Sequence, residues 1–346
     1  MILTYKIKHG RDFGQELSKA HRIAKIALST RTRSSADVKH IGLKSMIANQ
    51  ILRKYSKDKK AKRINKVVLA IPNQGIKIDK ENRRIHVPCL KLDLEYQFRN
   101  DFEKVNQIEI DKEYVFVSVS ISEPKQQEPD TYIGVDLNTT GHCAVAGNPD
   151  TGKVEKLGKS AYHIHNKYKN LRRNYQKNGK YKMVKRSKGR ETRLIRDLNH
   201  KISRKIVETA KETNSGIKME DLKGIRNAKS SRRFRYSLNS WSFYQLREMI
   251  EYKAKLLGIS VVYIDPAYTS QICSRCGLIG NRNGKDFRCP HCGHVDNADV
   301  NASFNIAKRQ PGVYRSDAVR DVLEGSTDTP KEATARTMPT LEPHGL

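Results

Sequence analysis

The sequence is short of negative charge and of apolar runs. Sixty-seven lysines and arginines face 37 acids over 346 residues, a formal charge of +30. So much charge of one sign opposes compaction and points to a polyanionic partner, nucleic acid first. No apolar run reaches transmembrane length, and no helical stretch has the bulky apolar face of a membrane-surface binder, which argues against a lipid partner. The start, MILTYKIKHGRDFG, lacks the apolar core of a secretory signal and predicts a protein of the reducing cytoplasm. Cysteine is scarce as well. Four of the six cysteines fall in one motif, and Cys89 and Cys143 stand alone in strand-like surroundings, so they read as buried thiols.

The motif is the sharpest local signal. Cys273, Cys276, Cys289 and Cys292 form two C-x2-C pairs, the spacing that holds a structural Zn2+ on four thiolates. Gly277 and Gly293 each follow the second cysteine of a pair and let the backbone turn under the metal. Just beyond them Asp299 opens a short helix predicted to run to about Lys308.

Along the chain the period of the apolar residues changes several times. Residues 2–8 alternate as a strand; residues 12–57 have helical spacing, and a basic run from Arg53 to Arg63 follows the second helix and includes Lys54, Lys57 and Lys60. From Lys66 to Ser122 the period is two, broken by Pro72, Gly75, Asn82 and Pro88, which predicts a small antiparallel β-barrel completed by the first strand. SEPKQQEPD is a linker. Strands follow at 132–136, 142–146 and around Val154. The tract from Lys167 to Lys205 then carries sixteen basic residues against Glu191 and Asp197. Leu194, Leu198, Ile202 and Ile206 are expected to dock this helix on a sheet, and the interleaved Tyr168, Tyr175 and Tyr181 accompany cations that face nucleic acid, among them Arg172, Arg173, Lys185, Arg186 and Arg190. A strand at 215–220 ends on Glu220. A basic loop with Arg232, Arg233 and Arg235 comes next, and then a helix from Trp241 to Leu257 with Tyr244, Met249, Tyr252 and Leu256 as its core stripe. The fifth strand spans 260–264, and the tail after Pro311 reads as disordered.

Carboxylates end the first strand (Asp136) and the fourth (Glu220) and begin the last helix (Asp299), which is the RNase H-like order. Its first and fourth strands are neighbours, so the three acids are expected to meet and to hold two Mg2+ ions for phosphodiester hydrolysis. A zinc-ribbon transcription factor would explain the cysteines and the charge but not this order. His163-Ile164-His165 with Tyr168 suggests a tyrosine strand transferase, but the pair falls on a helix-forming stretch.

GVDL, MEDL, WSFYQLREMIEYKAKLLGISVVYIDPAYTSQICSRCG and NADVNASFNIA resemble the TnpB (OrfB) proteins of insertion sequences, whose RuvC-type domain is shared with compact type V CRISPR effectors. The resemblance is strong over residues 130–310. It implies an α/β fold: an RNase H-like (RuvC) nuclease domain at 131–265 and 298–310 with a zinc ribbon inserted at 266–297. Ahead of it would come a wedge barrel at 1–9 and 62–123, a helical recognition insertion at 10–61 and a linker at 124–130, with a tail at 311–346 behind. It also implies an RNA-guided DNA endonuclease with guide RNA and target double-stranded DNA as partners, a target-adjacent motif, catalytic Asp136, Glu220 and Asp299, two Mg2+ and one Zn2+, in a prokaryotic, nucleoid-associated setting. A compact CRISPR effector, or a guided binder that does not cut, are the alternatives. Asn138 to Thr140 stands where a glycine is common, a departure expected to leave the metal ligands untouched.

Overall fold

The computed structural model describes residues 1–58, 63–138, 141–222 and 243–310. Lys60, Arg232, Arg233, Arg235, Trp241 and the tail lie outside the described residues. The chain divides into two compact units, Met1–Glu123 and Pro124–Leu346. No described helix is long and apolar enough to cross a membrane.

In the first unit β1 (Ile2–Lys8) leads into α1 (Gly14–Thr30), a 3-10 turn (Ala36–Ile41) and α2 (Ser45–Lys57). β2 (Leu69–Pro72), β3 (Lys77–Asp79), β4 (Arg84–Val87), β5 (Leu92–Glu95), β6 (Lys104–Ile110) and β7 (Tyr114–Ser120) follow. β1 returns across the helices to pair antiparallel with β7, from Ile2 opposite Ser120 to Lys8 opposite Tyr114. Among the described residues the strands do not form one closed barrel. They make two antiparallel sheets, β1-β7-β6-β2 and β3-β4-β5, over a shared core that includes Leu69, Ile85, Ile108 and Val117. Alternation fixes which side of a strand is buried and leaves open which strands pair, hence the difference.

The second unit opens with β8 (Thr131–Leu137), β9 (Ala144–Gly147) and β10 (Val154–Leu157). The basic tract is two helices, α3 (Ser160–Lys177) and α4 (Tyr181–Glu212), parted at Asn178–Lys180. β11 (Ser215–Glu220), α5 (Phe243–Leu256) and β12 (Val261–Ile264) complete a five-stranded sheet of order β10-β9-β8-β11-β12. β8 and β11, the first and fourth strands, run parallel side by side as expected. β13 (Asn281–Asn283), β14 (Asp286–Arg288) and β15 (Val295–Asn297) form a small ribbon sheet before α6 (Ala298–Lys308).

The buried stripe of α4 runs through Ile195, Ile202, Ile206 and Ala210; Leu194 is 44% exposed. Adjacent helical positions differ by about 100°, and of two neighbouring aliphatic residues Ile195 faces the sheet. On α5 the core residues are Leu246, Met249, Ile250 and Ala254, whereas Tyr244 is 58% exposed. Cys143 is buried, and burial pushes its thiol up to about 12; Cys89 is only half-buried.

The central strands separate two environments by alternation. Ile133, Val135, Ile217 and Met219 belong to one core with α4 and α5. Gly134, Asp136, Lys218 and Glu220 alternate with them, and this second face carries α6. The helix packs on the sheet at two paired glycines: its backbone meets Gly134, and its Ser303 and Phe304 side chains fill the space over Gly147. A Cβ at Gly134 would stand 1.9 Å from the Ser303 carbonyl oxygen and 2.5 Å from the Ala307 nitrogen. Gly134→Ala therefore has to displace α6. The expected cost is about 3 kcal/mol or more, read as a lower melting temperature than that of a control at ordinary φ such as Gly189→Ala, where the added Cβ meets only the end of the Arg193 side chain.

Candidate active site and metal centre

Asp136 and Glu220 reach the same level because of the parallel register. Met219 is opposite Val135, so the next residue on each strand is a carboxylate. Asp136 and Asp299 are 9% and 4% exposed. Asp299 sits in the first turn of α6, where the Asn297 side chain caps the helix by accepting from the Asp299 amide at 3.1 Å. The positive end of the helix favours an anion there.

Burial pushes the Asp136 carboxyl up to about 6; the Asn138 amide opposes this and the Asp299 charge adds to it. Burial, reinforced by Asp136, pushes Glu220 up to about 7. Asp136 is thus the acid coupled to both of the others. Glu220 Oε1 accepts from Thr269 Oγ1 at 2.5 Å. Asn138 Nδ2 donates to Asp136 Oδ2 at 2.7 Å. The departure at Asn138 therefore does touch a candidate ligand, two residues on along the same strand exit.

Two cations of the ribbon were not anticipated. Lys285 Nζ lies 2.5 Å from Asp299 Oδ2 and 3.3 Å from Asn138 Oδ1, and Arg282 Nη2 lies 3.8 Å from Asp299 Oδ1. Among 67 basic residues nothing marks these two, since only the folded ribbon carries them to the acids. Asp299 Oδ1 is nevertheless buried without a hydrogen-bond partner. An orphaned oxygen and two carboxyls raised by burial and like charge suit hard divalent cations.

The four cysteines do converge. Their sulfur atoms all lie within 4.8 Å of one another, with Cys273 to Cys292 at 3.7 Å and Cys276 to Cys289 at 3.5 Å. Tetrahedral Zn–S bonds require sulfurs about 3.8 Å apart, so the set fits a metal such as zinc. The knuckles repeat one backbone pattern: Gly277 N donates to Cys273 O and Gly293 N to Cys289 O, with both glycines at positive φ. Among the described residues this is the one cluster of cysteine, histidine or acids whose ligand atoms are gathered for an ion; the three carboxylates are less tightly drawn together.

α6 ties these two sites together. Asn301 Oδ1 accepts from Ser274 N at 2.8 Å and its Nδ2 donates to Ile272 O at 2.7 Å. Asn305 and Lys308, farther along the same stripe, bond the Ile272 and Ser274 carbonyls. At its C-terminal end the buried Lys218 ammonium donates to Ala307 O and Arg309 O at 2.9 and 2.8 Å, and burial lowers its pKa. One helix therefore carries Asp299, braces the first knuckle and is held to the strand of Glu220.

The other basic candidates divide. Lys54, Lys57, Arg173, Lys185, Arg186 and Arg190 are exposed on their helices. Arg172 is 17% exposed and pairs with the buried Glu191, which His165 also contacts at 2.7 Å. Tyr168 is core at 6% exposure, and Tyr181 is open at 71%. His163 and His165 sit on α3 and form no strand platform.

Fold and site define an α/β domain with carboxylates gathered on one sheet face and a four-cysteine ribbon inserted before its last helix. The family described as Cas12f1-like, TNB domain matches residues 243–306. The chain is 32% identical over 235 residues to a TnpB-like protein of Methanocaldococcus jannaschii, covering 64% of this chain and 84% of that one. It belongs to the TnpB family, which is related to compact type V effectors. It is 51% identical over 113 residues to the CRISPR-associated endodeoxyribonuclease Cas12f1 of Sulfoacidibacillus thermotolerans, covering 32% of this chain and about a quarter, 26%, of that one. A protein of Escherichia coli K12, provisionally named RNA-guided DNA endonuclease InsQ, is 24% identical and covers 67% of this chain and 63% of its own length.

The raised carboxyls have a consequence for stability. A carboxyl at about 6 when folded against an ordinary 3.8 destabilises the fold once it ionises, and the penalty disappears as pH falls through 6 toward 4. Without added divalent cation, Asp136→Asn is expected to be more stable than the wild type by about 3 kcal/mol above pH 7. The gap should close on acidification, which paired denaturation curves at a series of pH values would show.

Proposed function

We propose that this protein is an RNA-guided DNA endonuclease that hydrolyses phosphodiester bonds in an RNase H-like, RuvC-type site. The observation that carries the reading is electrostatic: acids from the first strand, the fourth strand and the last helix, on one face, with Asp136 coupled to the other two. Asp136, Glu220 and Asp299 would hold two Mg2+. The chemistry such a pair supplies when bound is activation of a water and stabilisation of the departing oxygen. Thr269 and Asn138 orient Glu220 and Asp136 through their hydrogen bonds. Lys285 and Arg282 offset the Asp299 charge, and both would be cations within reach of a bound phosphate. The cysteines would hold Zn2+ in a closed set that folds the ribbon and leaves no position for substrate.

Guidance by RNA rests on family membership and on the name of the E. coli relative. The exposed cations of α2 in the first unit, and separately those of α3 and α4 in the second, supply sequence-independent contacts for guide and target, with pairing to select the DNA and a target-adjacent motif to start it. A transposon-derived RNA suits the TnpB relatives. The 51% identity to a Cas12f1 over 113 residues favours a second reading, a compact type V effector with the same chemistry.

Purified protein with its bound RNA is expected to cut matching double-stranded DNA in Mg2+ and not in chelator. Asp136→Ala, Glu220→Ala and Asp299→Ala should each lower the rate by roughly a hundredfold or more. Undiminished cutting by all three would overturn the site. Absence of a discrete co-purifying RNA would overturn guidance and leave the nuclease standing. Sequencing that RNA separates the two origins: one running past the gene's end indicates the transposon, repeat-spacer units the CRISPR array.

A further inference from the structure

The first unit contains a cavity of about 330 Å³ that the proposed chemistry does not use. Three rings line it: Tyr96, Phe98 and Phe102. Tyr5 stacks on Phe98 with centroids 4.1 Å apart, Tyr96 lies 4.6 Å from Phe98, and Phe102 meets it edge-on at 5.7 Å. Tyr96 and Phe102 are 7% and 8% exposed, whereas Phe98 is only half-buried. A purely structural aromatic cluster would close over its central ring; this one opens on a cavity.

The rim is polar and charged. Lys80 Nζ donates to the Phe102 carbonyl at 3.0 Å and lies 5.3 Å from the centroid of that ring. Arg83 is exposed and adopts φ 51, in the left-handed region where glycine or asparagine costs less. The turn is locked around it. Asp79 accepts from the Asn82 amide at 3.0 Å and from its side chain at 2.7 Å, and the Arg83 carbonyl accepts from Tyr96 N at 3.0 Å. Among the described residues the Arg83 guanidinium has no hydrogen bond or ion pair, so an unfavourable backbone presents a cation with no partner in the fold. Asn100 Oδ1 accepts from the Tyr5 hydroxyl at 3.1 Å, which leaves its amide as a donor beside the Asp101 carboxylate.

Aromatic walls, an amide donor next to a carboxylate acceptor, and two cations at the mouth match an unpaired nucleotide: base on the rings, base edge on Asn100 and Asp101, phosphate on Lys80 and Arg83. We infer that this cavity binds one unpaired nucleotide of a nucleic-acid strand held by the protein. The inference rests on the reading of the chain as a nucleic-acid binder and adds a single-nucleotide site to it. Guide RNA and displaced DNA offer the same chemistry.

The full chain with its bound RNA is the material for the test. Photoreactive 4-thiouracil is placed in the RNA in one arm and in a single DNA strand in the other, and cross-linked peptides are mapped by mass spectrometry. Adducts are expected on Tyr96, Phe98 or Phe102; the arm that gives them identifies the strand. Phe98→Ala and Arg83→Ala should each weaken binding of a short single-stranded oligonucleotide by about tenfold, with Phe98→Trp near wild type. Arg83 is exposed, so its variant carries the test if Phe98→Ala fails to fold. Adducts confined to the basic helices, with unchanged affinity in Arg83→Ala, would overturn the cavity and spare the nucleic-acid reading. No adducts and no bound nucleic acid would overturn both.

Discussion

Two strand carboxylates and one from the covering helix meet on one face of a sheet, Asp136 and Asp299 buried and Glu220 half-buried, and the arrangement of the second unit follows from having to hold them there. Parallel pairing of β8 with β11 sets Asp136 and Glu220 level. Asp299 joins them because Gly134 and Gly147 let α6 lie against the backbone of the strands. Burial and mutual repulsion raise Asp136 and Glu220 well above the ordinary carboxylate range, so the site disfavours the ionised form of its own acids. A site that disfavours its own charges is primed to bind cations.

The ribbon is joined to that site by more than sequence. Its hairpin carries Lys285 and Arg282 to Asp299, while Asn301, Asn305 and Lys308 on α6 grip the first cysteine knuckle. The ribbon's fold, which gathers four cysteines, thereby sets where two cations stand relative to the acids. Exchange of Lys285 and Arg282 for divalent ions would turn these residues from neutralising partners into groups facing the substrate.

Much of this was legible in the residues. Short runs that end on a carboxylate, TYIGVD and SGIKME, indicated the two strands, and the order of the acids pointed to one face, because run length and strand ends are local properties. Pairing in the first unit was not legible: hairpin-sized strands read alike whether they join one ladder or two. Leu194 and Ile195 are adjacent and both aliphatic, and only docking distinguishes them. Lys218, in the middle of a strand, reads as solvent-facing, yet its ammonium finds the carbonyls at the end of α6, contacts made 89 and 91 residues away. Lys285, Arg282 and the cavity at Phe98 likewise depend on long-range placement, which composition and spacing do not encode.

The most direct test of the central claim is metal binding at the three acids, measured by anomalous diffraction from crystals of the full chain grown with Mn2+. Two peaks bounded by Asp136, Glu220 and Asp299, with the Lys285 ammonium withdrawn from Asp299 and no peaks in Asp136→Ala, is the predicted result. Saturating Mn2+ with no density among these acids, and Lys285 still paired to Asp299, would contradict it.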